Sequence, residues 1–257
     1  MRQPTLFLAH GSPMNAIADN AYTQAMNKLG ASLAPRAVLL VSAHWQSRKT
    51  LAHAGAMPRT IHDFSGFPPE LSAIQYPAPG APELAKRLVE RELADACEVD
   101  EAWGFDHGAW SVLRHVFPKA DVPVLMLSLS RRMRPLEHAA LAKRLSPLRD
   151  DGVLIIGSGN VVHNLGELDW DGNWTSTPGW VTDVDAYVAA AAERHDLPAL
   201  CNVRDATGAS GPKAIPTWEH YLPLLYAAGA ATLADVVTYP YVGIDMGSLS
   251  MRSIRFG

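Results

Sequence analysis

The feature that most constrains this chain is a continuous apolar run, Ala37 to Ala43 (AVLLVSA), that ends on His44. Runs of this kind suit central strands of a parallel sheet, where helices cover both faces and no polar alternation is needed. Thr5 to Ala9 is a second such run, after Pro4 and before His10 and the turn signal Gly11-Ser12-Pro13. Gly152 to Gly157 (GVLIIG) is a third, running into a turn at Ser158-Gly159-Asn160, and Val122 to Leu129 is a fourth. Helical stretches fall between and after them: Asn20 to Leu33, stopped by Pro35; Ala81 to Ala94, with Pro82 near its first turn; Arg134 to Leu148; the Ala-rich Val181 to His195; and Thr217 to Ala231 after Pro216. Val236 to Ile244 and Ser248 to Phe256 read as a closing hairpin or paired strands around Asp245-Met246-Gly247. Ser47 to Gly80 is Pro- and Gly-rich and lacks periodicity, so it reads as a long loop, and loops of that length in compact domains are more often functional than idle. Alternating strands and helices predict an α/β fold: one domain over residues 1–257, with a mostly parallel central sheet flanked by helices.

Charge narrows the partners. The formal net charge is −4 and no Lys/Arg-rich run occurs, which argues against nucleic acid or an anionic membrane as partner. No stretch approaches the roughly 18 consecutive apolar residues of a membrane span, and the run Leu6–Ala9 is too short for the core of a signal peptide. Cys97 and Cys201 form neither a disulfide framework nor a CxxC site and read as buried small hydrophobes in a reducing compartment. The cytoplasm is the expected location.

The histidines carry the functional signal. Ligands of open α/β sheets bind beyond the carboxyl ends of the strands, and three of the ten histidines stand at such ends. His10 ends the first strand, His44 the second, and His163 lies just past Val153–Ile156. One histidine after a strand is usually a loop residue or a cap. Three at equivalent ends, each beside small or turn residues, can converge on one divalent metal, which needs imidazole nitrogens within about 2.0–2.1 Å if it is zinc. His107, in the loop Gly104-Phe105-Asp106-His107-Gly108-Ala109-Trp110, reads either as a turn residue hydrogen-bonded to its Asp neighbour or as a donor to a substrate oxygen. Glu219 and His220 are adjacent on the expected helix and point in different directions, so one of them faces the site. His62 beside Asp63 is a further pocket candidate, while His53, His115, His138 and His195 read as surface or capping residues. No HExxH, GxSxG or phosphate-loop pattern is present, and Ser12 and Ser158 lack the strand–turn context of a nucleophile.

Taken together, these segments resemble the class III (LigB-type) extradiol ring-cleavage dioxygenases, in particular their 4,5-DOPA extradiol dioxygenase-like branch. The matching segments are Ala9-His10-Gly11-Ser12-Pro13, Ser42-Ala43-His44-Trp45, His62-Asp63-Phe64-Ser65-Gly66-Phe67-Pro68, Tyr76-Pro77-Ala78-Pro79-Gly80, Asp106-His107-Gly108-Ala109-Trp110, and Gly157-Ser158-Gly159-Asn160 with His163-Asn164 and the region of His220. Each is weak alone; their order and spacing over nearly the whole chain are specific. The resemblance implies His10, His44 and His220 as metal ligands, with Glu219 the alternative to His220 because the protocatechuate branch uses a glutamate there. It implies His163 as an acid/base beside the metal, close enough to serve as a fourth ligand to zinc, and His107 on the substrate side. Ser12, Trp45, Phe67 and Tyr76 are candidates for the substrate pocket. It further implies Fe(II) for activity, Zn(II) as a metal the purified protein can carry, and a catechol and O₂ as substrates, with ring opening beside the diol to a semialdehyde. Two other readings use the same residues: a zinc hydrolase, disfavoured because no general base of the HExxH kind is present, and a non-catalytic binding module of the same fold.

Overall fold

The computed structural model describes residues 2–257. Twelve strands form: β1 (Thr5–Ala9), β2 (Ala37–Ser47), β3 (Thr50–His53), β4 (Arg59–Thr60), β5 (Cys97–Asp100), β6 (Gly104–Phe105), β7 (Val124–Ser130), β8 (Val153–Gly159), β9 (Val237–Tyr241), β10 (Ile244–Asp245), β11 (Leu249–Ser250) and β12 (Ser253–Phe256). Eight of them make one sheet in the order β5-β3-β7-β2-β8-β1-β12-β9. Its centre is the four apolar runs of the sequence, and β7, β2, β8 and β1 are all parallel to one another. β12 joins antiparallel to β1, and β9 antiparallel to β12. The short pairs β4–β6 and β10–β11 stand apart from the main sheet.

Every residue of β1, β7 and β8 is buried, because helices close both faces. On one face, α1 (Ala21–Ala31) and α4 (His107–Val116) cover Leu6, Leu8, Leu40 and Ile156. On the other, α5 (Pro135–Lys143), α6 (Gly179–Glu193) and α10 (Leu222–Ala230) cover Phe7, Leu39, Val41 and Ile155. Successive residues of one strand thus feed two separate cores, which is why these strands read as unbroken apolar runs rather than alternating ones. The shorter helices are α2 (Pro69–Ser72), α3 (Pro82–Arg87), α7 (Leu197–Cys201), α8 (Val203–Ala206) and α9 (Ser210–Ala214). No helix among the described residues is long and apolar enough to cross a membrane.

The structure departs from the sequence reading in three places that bear on the site. The stretch Ser47–Gly80 is not one loop: it contains β3, β4 and α2. The helix expected from Thr217 starts only at Leu222, where Pro223 occupies the first turn and its missing N–H costs nothing. His220 therefore sits in a turn, and its carbonyl accepts the backbone N–H of Asn160 at 2.8 Å. Of the turn expected at Ser158-Gly159-Asn160, Ser158 and Gly159 are strand, continuous with Gly157 in β8. Its glycines are there for clearance: a Cβ on Gly157 would lie 2.1 Å from the Pro223 carbonyl oxygen, and one on Gly159 2.0 Å from that of His220.

Candidate metal centre

The order β2-β8-β1 puts three strand ends side by side, and five imidazoles gather beyond them. His10 follows β1 directly and donates its backbone N–H to Gly159. His44 lies inside β2, where the pairing with β7 jumps from Val41–Leu127 to Gln46–Leu129. That bulge turns His44 out of the ladder and toward the site. His107 is the first residue of α4, with Asp106 as the N-cap accepting from Ala109 N at 3.1 Å. His163 lies just past the bend that follows β8, and His220 in the turn before α10. The ring centroids of His10 are 5.0 Å from His44, 5.7 Å from His107 and 5.3 Å from His220, and His163 stacks on His220 at 3.5 Å.

Hydrogen-bond partners determine which nitrogen each ring presents. The hydroxyl of Ser158 donates to the Gly108 carbonyl, so it can only accept from His10 Nδ1, 3.0 Å away. Glu219 Oε1 lies 3.2 Å from His220 Nδ1 and also accepts from the Thr217 hydroxyl. Asp63 Oδ1 accepts from His107 Nδ1 at 3.0 Å, and its Oδ2 lies 3.2 Å from His44 Nδ1. In each neutral ring the proton is thus on Nδ1 and the lone pair on Nε2. Metal-binding histidines are held in this way, by a partner on the nitrogen away from the ion. For His107 the same arrangement leaves an acceptor on Nε2, so the donor role read from the sequence requires a second proton on that ring.

The donor set fits a metal ion. His10 Nε2 and His44 Nε2 lie 3.2 Å apart. Two bare ring nitrogens repel at that separation, but two ligands at about 2.0–2.1 Å from one tetrahedral ion would stand about 3.3 Å apart. Among the described residues, two histidine-containing groups have donor atoms close enough to hold an ion: His10 with His44 and His107, and His163 with Glu219 and His220. Burial pulls His10 and His220 well below the usual histidine range, and the neighbouring imidazoles push in the same direction. Burial likewise lowers His163 to about 4. Neutral imidazoles are the form a metal requires. Burial also lowers His44, but the Asp63 hydrogen bond and the charge of Asp106 outweigh it and leave the ring raised. Burial raises the Asp63 carboxyl, yet the two imidazoles it faces hold it well below the carboxylate range.

The histidines floor a cavity of about 330 Å³, a size suited to a small ligand. Its walls are apolar: Phe64, Phe67, Leu165, Leu168, Trp170, Met246 and Leu249, with Ser12 and Asp63 the polar exceptions beside the histidines. Of the residues expected to line it, Ser12 and Phe67 do. Trp45 and Tyr76 do not. Trp45 is buried behind His44, stacked on Trp103 with ring planes 4° apart, and Tyr76 is buried with its hydroxyl donating to the Phe117 carbonyl. Both are large aromatics in short polar-flanked motifs, and sequence could not tell core from wall. His62 turns away to the Ile74 carbonyl, and its neighbour Asp63 enters the site instead. His107 pairs with Asp63, not with the adjacent Asp106, which is engaged with Ser42 and Trp103. His53 and His138, read as surface or capping residues, are buried. Asp63, Ser158 as a histidine partner, and the wall from Leu165 to Trp170 went unread; the one carboxylate in the His-Asp-Phe-Ser-Gly-Phe stretch, Asp63, was the one available signal.

Comparison with known proteins places the chain in a family. Residues 4–230 match the family described as the catalytic LigB subunit of aromatic ring-opening dioxygenase. The chain is 46% identical over 264 residues to the 4,5-DOPA dioxygenase extradiol of Escherichia coli (strain K12), covering 100% of this chain and 95% of that protein. It is 32% identical to the protein of the same name from Beta vulgaris, covering 98% of this chain and 96% of that one. The crystal structure of an E. coli K12 protein described as uncharacterized superposes with a TM-score of 0.84 at 43% identity, over 100% of both chains. The chain belongs to the LigB family, in the class III extradiol ring-cleavage dioxygenase branch.

Proposed function

We propose that this enzyme opens the ring of a catechol with O₂, beside the diol, to a semialdehyde, at a single Fe(II) held by His10, His44 and His220. The observation that carries the reading is the convergence of these three rings, each with its Nδ1 held by a different partner, on the floor of an apolar cavity. A three-ligand centre keeps coordination positions open for exogenous ligands, as in non-haem Fe(II) oxygenases. Bound there, Fe(II) would supply the redox chemistry and hold catechol and O₂ together.

The chain's own groups do the rest. Phe64, Phe67, Leu168 and Trp170 receive the aromatic ring and exclude water from it. His107 Nε2 accepts a hydrogen bond from a substrate hydroxyl, with Asp63 behind its Nδ1. His163, which stacks on His220, takes a hydroxyl proton and later returns one. Glu219 serves as the hydrogen-bond partner of His220 rather than as a ligand, because it does not line the cavity. Both oxygen atoms of O₂ enter the product, so no further reductant is needed. Zn(II) suits the same nitrogens and would occupy them without opening the ring. The cytoplasm is the proposed location, in keeping with two free thiols.

The relatives named for 4,5-DOPA make L-DOPA the first substrate to try. Oxygen uptake by anaerobically Fe(II)-reconstituted protein, with L-DOPA, protocatechuate and catechol, tests the reading against a His44→Ala control. Uptake with a yellow ring-fission product, absent from the control, is expected. No uptake with any of the three at full iron occupancy overturns it.

A further inference from the structure

We propose that Asp63 is a positioning residue that couples the two halves of the site, holding His44 and His107 in one tautomer and one mutual orientation through the two oxygens of a single carboxylate. The inference rests on the reading above only in calling His44 a ligand and His107 a substrate-side group.

Three partners hold the Nδ1 atoms of the floor histidines other than His163, and two of them serve one ring each: Ser158 for His10 and Glu219 for His220. Asp63 serves two. Its Oδ1 accepts from both the backbone N–H and Nδ1 of His107, at 2.9 and 3.0 Å, while Oδ2 lies 3.2 Å from Nδ1 of His44. His44 comes from the β2 bulge and His107 from the start of α4, so no shared backbone links the two rings, whose centroids are 4.0 Å apart.

The carboxylate itself is fixed from both sides. Ile61 donates its N–H to the Phe105 carbonyl at 2.7 Å and accepts from Trp110 Nε1 at 2.9 Å. His62 is tied to the Ile74 carbonyl at 2.9 Å. On the other side, Phe64 packs edge-on to His107 and against Trp110. A loop residue anchored so closely is suited to orienting other groups.

The chemistry of the side chain makes the coupling testable. A carboxylate has acceptor capacity for both Nδ1–H groups; an amide has one acceptor oxygen and an NH₂ that only donates. In Asp63→Asn, one imidazole must move its proton to Nε2, or swing away, and so withdraw a lone pair from the cavity.

Histidine ring ¹⁵N NMR on metal-free and zinc-loaded protein reads this directly and needs no ring-opening activity. Wild type is expected to show His44 and His107 protonated on Nδ1. In Asp63→Asn one of them shifts to Nε2–H, and the zinc dissociation constant, measured by chelator competition, rises roughly 10- to 100-fold. At saturating Fe(II) the variant should keep a kcat deficit, which a loss of metal alone would not leave. Asp63→Glu retains both acceptors and is expected to restore the tautomers in part; it also stands in if the amide variant does not fold. Both rings remaining Nδ1–H in Asp63→Asn, with zinc affinity within about twofold of wild type, would overturn the proposal. So would weakened zinc binding with the His107 tautomer and the iron-saturated kcat both unchanged, since Asp63 would then serve His44 alone.

Discussion

The Nε2 atoms of His10 and His44 face each other across 3.2 Å, with their Nδ1 atoms held from behind by Ser158 and Asp63. Neither ring can relieve the contact by turning without losing its partner. A metal ion between them, or a second proton on the raised His44 ring, resolves it. His10→Ala and His44→Ala should each weaken zinc binding by more than about 100-fold, beyond what loss of an outer partner costs. Chelator competition measures this, and far-UV circular dichroism should show the secondary structure retained.

Gly159 is predicted to be intolerant of any side chain. A Cβ there would stand 2.0 Å from the His220 carbonyl oxygen, a backbone atom that cannot step aside alone. Gly159→Ala should lower stability by about 2 kcal/mol or more, as overpacking does. It should also reduce metal content per folded chain, because the displaced segment carries His220. Urea unfolding and metal analysis on the same preparation separate the two effects.

Far from the site, Arg149 is almost wholly buried and makes a two-pronged pair with Asp235, at 2.7 and 2.9 Å. Its Nε and Nη1 also donate to the carbonyls of Gln3 and Ala230. Arg149→Ala leaves Asp235 without its partner and should cost about 3–5 kcal/mol. Zinc affinity of the fraction that remains folded should equal that of wild type, since no partner of Arg149 touches the cavity.

His138 makes stability depend on pH. It is buried between β7 and α10: its Nε2 donates to the Ser130 carbonyl and its Nδ1 accepts from the Tyr226 hydroxyl. Burial lowers its pKa to about 4 from the usual 6.5. Between these values the unfolded chain binds the proton and the folded chain does not, so stability falls as pH drops from 6.5 toward 4 and levels off below. The contribution is about 3 kcal/mol over the window. Urea midpoints of metal-free protein from neutral pH to pH 4 should therefore fall more steeply in wild type than in His138→Gln. Parallel slopes would show that His138 does not titrate across this window.

Much of the molecule was readable from one dimension. The four apolar runs became the four parallel central strands, and His10, His44 and His163 came together because β2, β8 and β1 are neighbours in the sheet, although His44 sits at a bulge inside β2 and not at its end as expected. Strand periodicity and strand-end position are local properties, and local chemistry decides them. What the chain order could not reveal depends on contacts between distant segments. Asp63 enters the site while His62 turns away because the loop is pinned at Ile61 and at Ile74, and Trp45 belongs to the core because Trp103, remote in sequence, stacks on it. Above all, the protonated nitrogen of each imidazole is set by Ser158, Asp63 and Glu219. Two of these three come from other elements, since a ring's tautomer follows from the partner behind it. The residue types of the site were thus determined by the sequence; their orientation and protonation were decided by the tertiary structure.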